Sequence, residues 1–172
     1  LKLPRHVAAV TSEATRVERE EMSTPEIVRA GVAMSSLRAT SGFMMLHLAF
    51  WLRNEKAGLA WFAFALAIGS ASTLLANSIG ASLTRKLNHH SILVSSLCVI
   101  AGTGIIAALN GSITAGIVLA GVVNGFGAIG KLAFDSIVQK HAPDANRSRV
   151  FAQYETRNQL FQVGGGLLAV LF

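Results

Sequence analysis

Five apolar stretches, at positions 32–52, 59–83, 92–109, 113–137 and 150–172, constrain this chain more than any other feature, because only short polar or basic turns separate them. Each is close to the ~20 residues that carry a helix across a ~30 Å hydrocarbon layer. A chain of 172 residues has too little volume to enclose so much apolar sequence in a water-soluble core. Composition agrees: 52% of residues are hydrophobic and 14% charged, against about a quarter charged in an ordinary soluble domain. The stretches are rich in Ala and Leu and lack two-residue alternation, so helices rather than barrel strands must satisfy the backbone groups within lipid. Pro4, Pro25 and Pro143 all fall outside them. The pattern predicts an all-α, polytopic membrane helical bundle with helices at about 25–52, 57–83, 91–109, 112–137 and 148–172.

The net charge of +6 raises nucleic acid as a partner, but its distribution argues against one. Placing the N-terminal segment and every second turn on one side collects Lys2, Arg5, Arg16, Arg19, Arg29, Arg85, Lys86, Lys140, Arg147 and Arg149 there. Only Arg53 and Lys56 face the other side. Basic flanks stay in the cytoplasm, so the N-terminal segment is expected there.

Residues 1–24 mix acidic and basic side chains with few apolar ones and read as a cytoplasmic linker. Thr24-Pro25-Glu26 then supplies an N-cap, a proline at the first helical position and an acid in the first turn. Outer turns at Arg53-Asn54-Glu55-Lys56 and Asn110-Gly111-Ser112 are tight, while the inner ones, 84–91 and 138–149, read as longer and basic. The chain opens on Leu1 and closes inside an apolar run at Phe172, which reads as a fragment of a longer protein. Cys98 stands alone in the third stretch, so neither an intrachain disulfide nor a cysteine metal cluster is expected.

Polar residues within the stretches are the candidates for function, since a charge at mid-bilayer costs ~3 kcal/mol on insertion scales. Arg38 in the first stretch faces either a wet cavity or an acidic partner. Thr40 and His47, seven residues apart, share a different face. In the second, Ser70, Thr73, Asn77, Gly80 and Thr84 form a polar or small stripe, suited to helix packing or to a cavity wall. Asn124, Lys131 and Asp135 lie on one face of the fourth. Lys131 and Asp135 read as an interfacial i,i+4 pair or as part of a gate or proton-coupling network, and Asn124 as a cavity residue. Tyr154, Asn158 and Gln162 share one side of the fifth and point to an aqueous cavity or a polar gate. Leucine at Asn158 or Gln162 should then alter function more than abundance. Glu155 and Arg157 are expected to pair with the basic inner turns. Gly125-Phe126-Gly127-Ala128-Ile129-Gly130 fits the dinucleotide fingerprint by letter, but its apolar setting favours close helix packing through Gly121 and Gly125.

Two inner turns carry more specific spacings. Gly80-x-x-Leu83-x-Arg85-Lys86, followed by His89-His90, resembles the loop after the second helix of each half in the major facilitator superfamily of secondary transporters. Pro143-Asp144-Ala145-Asn146-Arg147-Ser148-Arg149 is similar to that superfamily's turn between the fourth and fifth helices of a half. The chain departs from the pattern at Thr84, Leu87 and Ser148. With the linker ahead of them, the five helices resemble the C-terminal half of such a fold, in the style of drug or macrolide efflux members.

That resemblance implies a non-enzymatic, cofactor-free transporter fragment in a bacterial-type cytoplasmic membrane, working by alternating access with the first-half helices of the same protein. It implies proton-coupled efflux of a small amphiphilic compound. Arg38, Asn77, Asn124, Asn158 and Gln162 are the substrate-cavity candidates; Gly80, Arg85, Lys86, Lys131, Asp135, Arg147 and Arg149 are the gating or cytoplasmic-loop candidates. The sequence alone also fits a non-transporting scaffold, channel or receptor subunit that assembles with partner helices.

Overall fold

The computed structural model describes residues 24–142 and 147–171, and all regular structure among them is helical. The linker up to residue 23, and positions 143–146 of the second family-like turn, lie outside the described residues. Helix α1 spans Pro25–Asn54, α2 Leu59–Lys86, α3 His89–Asn110, α4 Ile113–His141 and α5 Arg147–Leu171.

Local chemistry sets most of the helix ends. Pro25 opens α1 with Glu26 in its first turn, as the sequence predicts. Thr24 holds the N-cap position without a capping bond, so the start rests on the preset φ of proline. Asn88 and Ser112 do cap: their side-chain oxygens accept from the N–H groups of His90 at 3.0 Å and Ala115 at 3.3 Å. Gly111 ends α3 in the left-handed region, at φ 60°, which favours glycine.

Both inner turns are shorter than expected. Helix α2 continues through Arg85 and Lys86 and α3 restarts at His89; α4 continues to His141. Loss of hydrophobicity marks where a helix leaves lipid, not where it stops. Basic side chains suit the electronegative last turn and let it run on.

Helix directions alternate along the chain. Gly31 of α1 lies against Tyr154 of α5, Ser35 against Asn158 and Gly42 against Gln162, so α1 and α5 are parallel. Ile68 and Ser72 of α2 meet Gly121 of α4, and Gly80 meets Leu132, so α2 and α4 are parallel too. Gly116 and Gly130 of α4 lie against Trp51 and Leu37 of α1, an antiparallel pairing. Alternation of this kind is what successive crossings of a membrane require. Helices α2, α3 and α4 are long and apolar enough to make such crossings. At 30 and 25 residues, α1 and α5 have the length, but Arg38 and His47 in one and Glu155, Arg157 and Asn158 in the other dilute their apolar character.

Helix α4 lies at the centre, burying Val123, Ile129, Ala133, Phe134 and Ile137 against the helices around it. Outward, Leu66, Leu74, Leu75, Ile105, Ile106, Leu160 and Leu167 are exposed. An apolar exterior of this extent fits a lipid environment. Gly125, Gly127 and Gly130 sit within continuous α4, without the strand and turn that a dinucleotide site needs. A Cβ at Gly121 would lie 2.9 Å from Ile68 Cγ2 and 3.1 Å from Ser72 Oγ, so this glycine admits α2 at close range.

Candidate functional site

Four of the five cavity candidates border two adjoining cavities on the side of α1 and α4 that faces α2. The first, about 340 Å³, is lined by Arg38 and Ser41 of α1, Thr73 and Asn77 of α2, and Asn124, Lys131 and Asp135 of α4. The second, about 240 Å³, shares Ser41 and Asn124 and reaches Ser70 of α2 and Gln162 of α5. Three helices converge here because both α1 and α2 pack against α4.

Within the first cavity the charges are unequally matched. Lys131 Nζ lies 3.3 Å from Asp135 Oδ2, one helical turn on, and 3.8 Å from Glu155 Oε2 of α5. The expected i,i+4 pair is therefore present and tied to a third helix. Arg38, by contrast, forms no ion pair among the described residues, and its Nε is shielded from solvent without a hydrogen-bond partner there. Asn124 Nδ2 donates to Ala120 O at 2.8 Å, and Thr73 Oγ1 to Gly69 O at 3.0 Å. These bonds anchor the side chains to their own helices at the cavity wall.

Asn158 is not at a cavity wall. It is buried in the seam between α1 and α5, where Ser35 Oγ donates to its Oδ1 at 2.9 Å. The polar side of α5 meets a complementary polar side of α1, so its amide finds a protein partner rather than water. Tyr154 is buried beside it, its ring 5.5 Å from that of Phe134. Arg157 departs from expectation in the same way. Its Nε donates to Ser35 Oγ at 3.2 Å and its guanidinium lies 4.4 Å from the centre of the Tyr154 ring. Glu155 turns instead to Lys131 and to Gln159 Nε2, at 3.0 Å. Among the described residues, neither pairs with the inner turns.

The loop candidates gather at one end of the bundle. Gly80 is buried under α4, where a Cβ would lie 2.6 Å from Leu132 Cδ1. Arg85 and Lys86 are exposed in the last turn of α2, and Arg149 is exposed in the first turn of α5. Arg147 Nη2 donates to Gln139 O at 3.1 Å, linking α5 to the end of α4.

A larger, mainly apolar cavity of about 680 Å³ lies between α1, α3 and α4. Thr40 and His47 line it, on the face the sequence separates from Arg38, and the His47 ring stacks on Phe43 at 5.2 Å. Trp51 of α1 and Leu97, Ala101, Gly104 and Ala108 of α3 are among its apolar lining, which polar residues alone do not reveal. The helical spacing of Leu97, Ala101, Gly104 and Ala108 on α3 is the sequence signal for this wall. No protein-family model, curated protein or solved structure matches the chain.

Proposed function

We propose that this chain is part of a secondary transporter of the major facilitator kind, moving a small amphiphilic compound by alternating access. The observation that carries the reading is the convergence of Arg38, Asn77, Asn124, Lys131 and Asp135 from three helices on one cavity. Ionisable groups inside a membrane segment are costly and characteristically line a pathway or a site. Alternating helix directions and the two family-like turns support the same reading.

In this scheme the first-half helices of the transporter stand across the cavity, and the two halves rock about it. Asp135 and Glu155, both beside Lys131, are the carboxylates placed to exchange protons as the cavity opens to either side. The end carrying Arg85, Lys86, Arg147 and Arg149 is cytoplasmic, in a bacterial-type inner membrane, by the bias of basic flanks. Movement outward is the direction that the efflux-like style of the chain suggests.

The test uses the intact protein in inverted membrane vesicles, a panel of lipophilic drugs, and a proton gradient that can be collapsed. Gradient-dependent accumulation, lost in Asp135→Asn at unchanged abundance, is the expected result. Folded protein that moves no drug with or without the gradient overturns the proposal.

A further inference from the structure

We infer that the cavity bordered by Arg38 takes an amphiphilic anion, with Arg38 as the group that pairs with its negative charge. This rests on reading the cavity as a ligand site and adds the class of compound it takes.

Charge accounting on the cavity leads there. Arg38, Lys131 and Asp135 are its charged lining groups, and Glu155 approaches Lys131 from α5. Lys131 has two carboxylates within 4 Å, at 3.3 and 3.8 Å, so its charge is more than compensated. Neither carboxylate reaches Arg38, whose Nε lacks any hydrogen-bond partner among the described residues. A partly buried guanidinium with one N–H shielded from water and no counter-charge among the described residues is left under-compensated, and an arriving anion removes part of that penalty. Guanidinium also presents the planar fork that carboxylates and related oxyanions match.

The rest of the wall fixes the remainder of the molecule. Met34, Leu37 and Leu132 supply apolar contact, and Ser41, Thr73, Asn77 and Asn124 supply neutral hydrogen-bonding groups. At about 340 Å³ the space lies near the small end of the ~300–1,000 Å³ typical of ligand pockets. A compact apolar body bearing one carboxylate fits both the volume and the charge.

The test is equilibrium binding to the intact protein purified in detergent, with naphthoate and its uncharged methyl ester as fluorescent probes. Naphthoate is expected to bind at least about tenfold more tightly than the ester, in line with a desolvated charge-assisted bond. Arg38→Gln should remove that preference while leaving ester binding within about twofold, and Arg38→Lys should restore part of it. Equal binding of the two probes to the unaltered protein overturns the inference, as does equal weakening of both by Arg38→Gln. Should Arg38→Gln fail to fold, thermal stabilisation of the unaltered protein decides: naphthoate must raise Tm more than the ester does. A carboxylate from another helix of the protein, if it already neutralises Arg38, produces the charge-blind result. Binding in detergent is read apart from movement across a membrane. An Arg38-dependent preference without gradient-driven movement sinks the transport reading alone, and gradient-driven movement without a charge preference sinks this inference alone.

Discussion

Ser35 and Asn158 meet across the seam between α1 and α5, hydroxyl to amide oxygen at 2.9 Å and 123 residues apart in sequence. Both are buried, and Arg157 donates to the same hydroxyl. The contact joins the two helices whose composition is least suited to lipid, and it places their polar groups against each other.

Asn158→Leu is therefore expected to destabilise the fold. It removes the acceptor for Ser35 and leaves the hydroxyl buried, at a cost of about 1 kcal/mol on the scale of hydrogen bonds between membrane helices. Gln162→Leu changes a cavity wall instead and should alter stability by less than about 0.5 kcal/mol. Thermal unfolding in detergent, with transport assayed in parallel, separates the two. Equal stability of both variants would remove Asn158 from the structural seam.

The seam is also a place where backbone meets backbone. A Cβ added at Gly42 runs into the carbonyl of Gln162, and one added at Gly165 into the carbonyl of Ala39. Neither obstacle is a flexible side-chain tip, so Gly42→Ala and Gly165→Ala must separate α1 from α5. Each should cost about 1–3 kcal/mol, typical of overpacking a tight core. Gly102 of α3 has open space around its Cβ direction, and Gly102→Ala should be neutral or stabilise by up to about 1 kcal/mol through helix propensity. Melting temperatures of the three variants in one detergent check the order.

How far the sequence reveals this arrangement depends on whether a feature is local. Pro25 and Gly111 mark helix ends because each fixes its own backbone, and both ends fall where expected. The Lys131 and Asp135 pair is equally local, since four residues bring two side chains to one face of a helix. The fate of the polar side of α5 is not local. Periodicity places Tyr154, Asn158 and Gln162 together, but only the partner helix decides whether that side meets water or protein. Ser35, far upstream and unremarkable alone, makes that difference. That Arg38 has no ion-pair partner among the described residues is hidden for the same reason, because it depends on where carboxylates of α4 and α5 are held.

Lys131, Asp135 and Glu155 should contribute little to folding. Their side chains are 43%, 26% and 45% exposed, so solvent screens both pairs strongly. Double-mutant cycles on Lys131→Gln with Asp135→Asn, and on Lys131→Gln with Glu155→Gln, should each give a coupling energy below about 0.5 kcal/mol in thermal or denaturant unfolding. Loss of transport in Asp135→Asn then reports on the cavity rather than on the fold. A coupling well above 1 kcal/mol would instead make this trio a structural clasp between α4 and α5.

Alternating helix directions make a topological prediction that needs no substrate. Lys56 and Asn110 fall at one end of the bundle, Lys86 and Gln139 at the other, because α1 and α3 end where α2 and α4 begin. Cys98 must first be replaced by serine, since it is exposed on α3 and would react with membrane-permeant reagents. Single-cysteine variants Lys56→Cys and Asn110→Cys should then label with an impermeant maleimide from the outside of intact cells. Lys86→Cys and Gln139→Cys should label only after the membrane is opened, as the excess of basic residues at their end requires. Labelling of Lys86→Cys and Gln139→Cys from opposite sides would break the alternation, since α2 and α4 run parallel and must end on the same face. The reverse pattern, with all four positions exchanged, would keep the bundle and invert only its orientation.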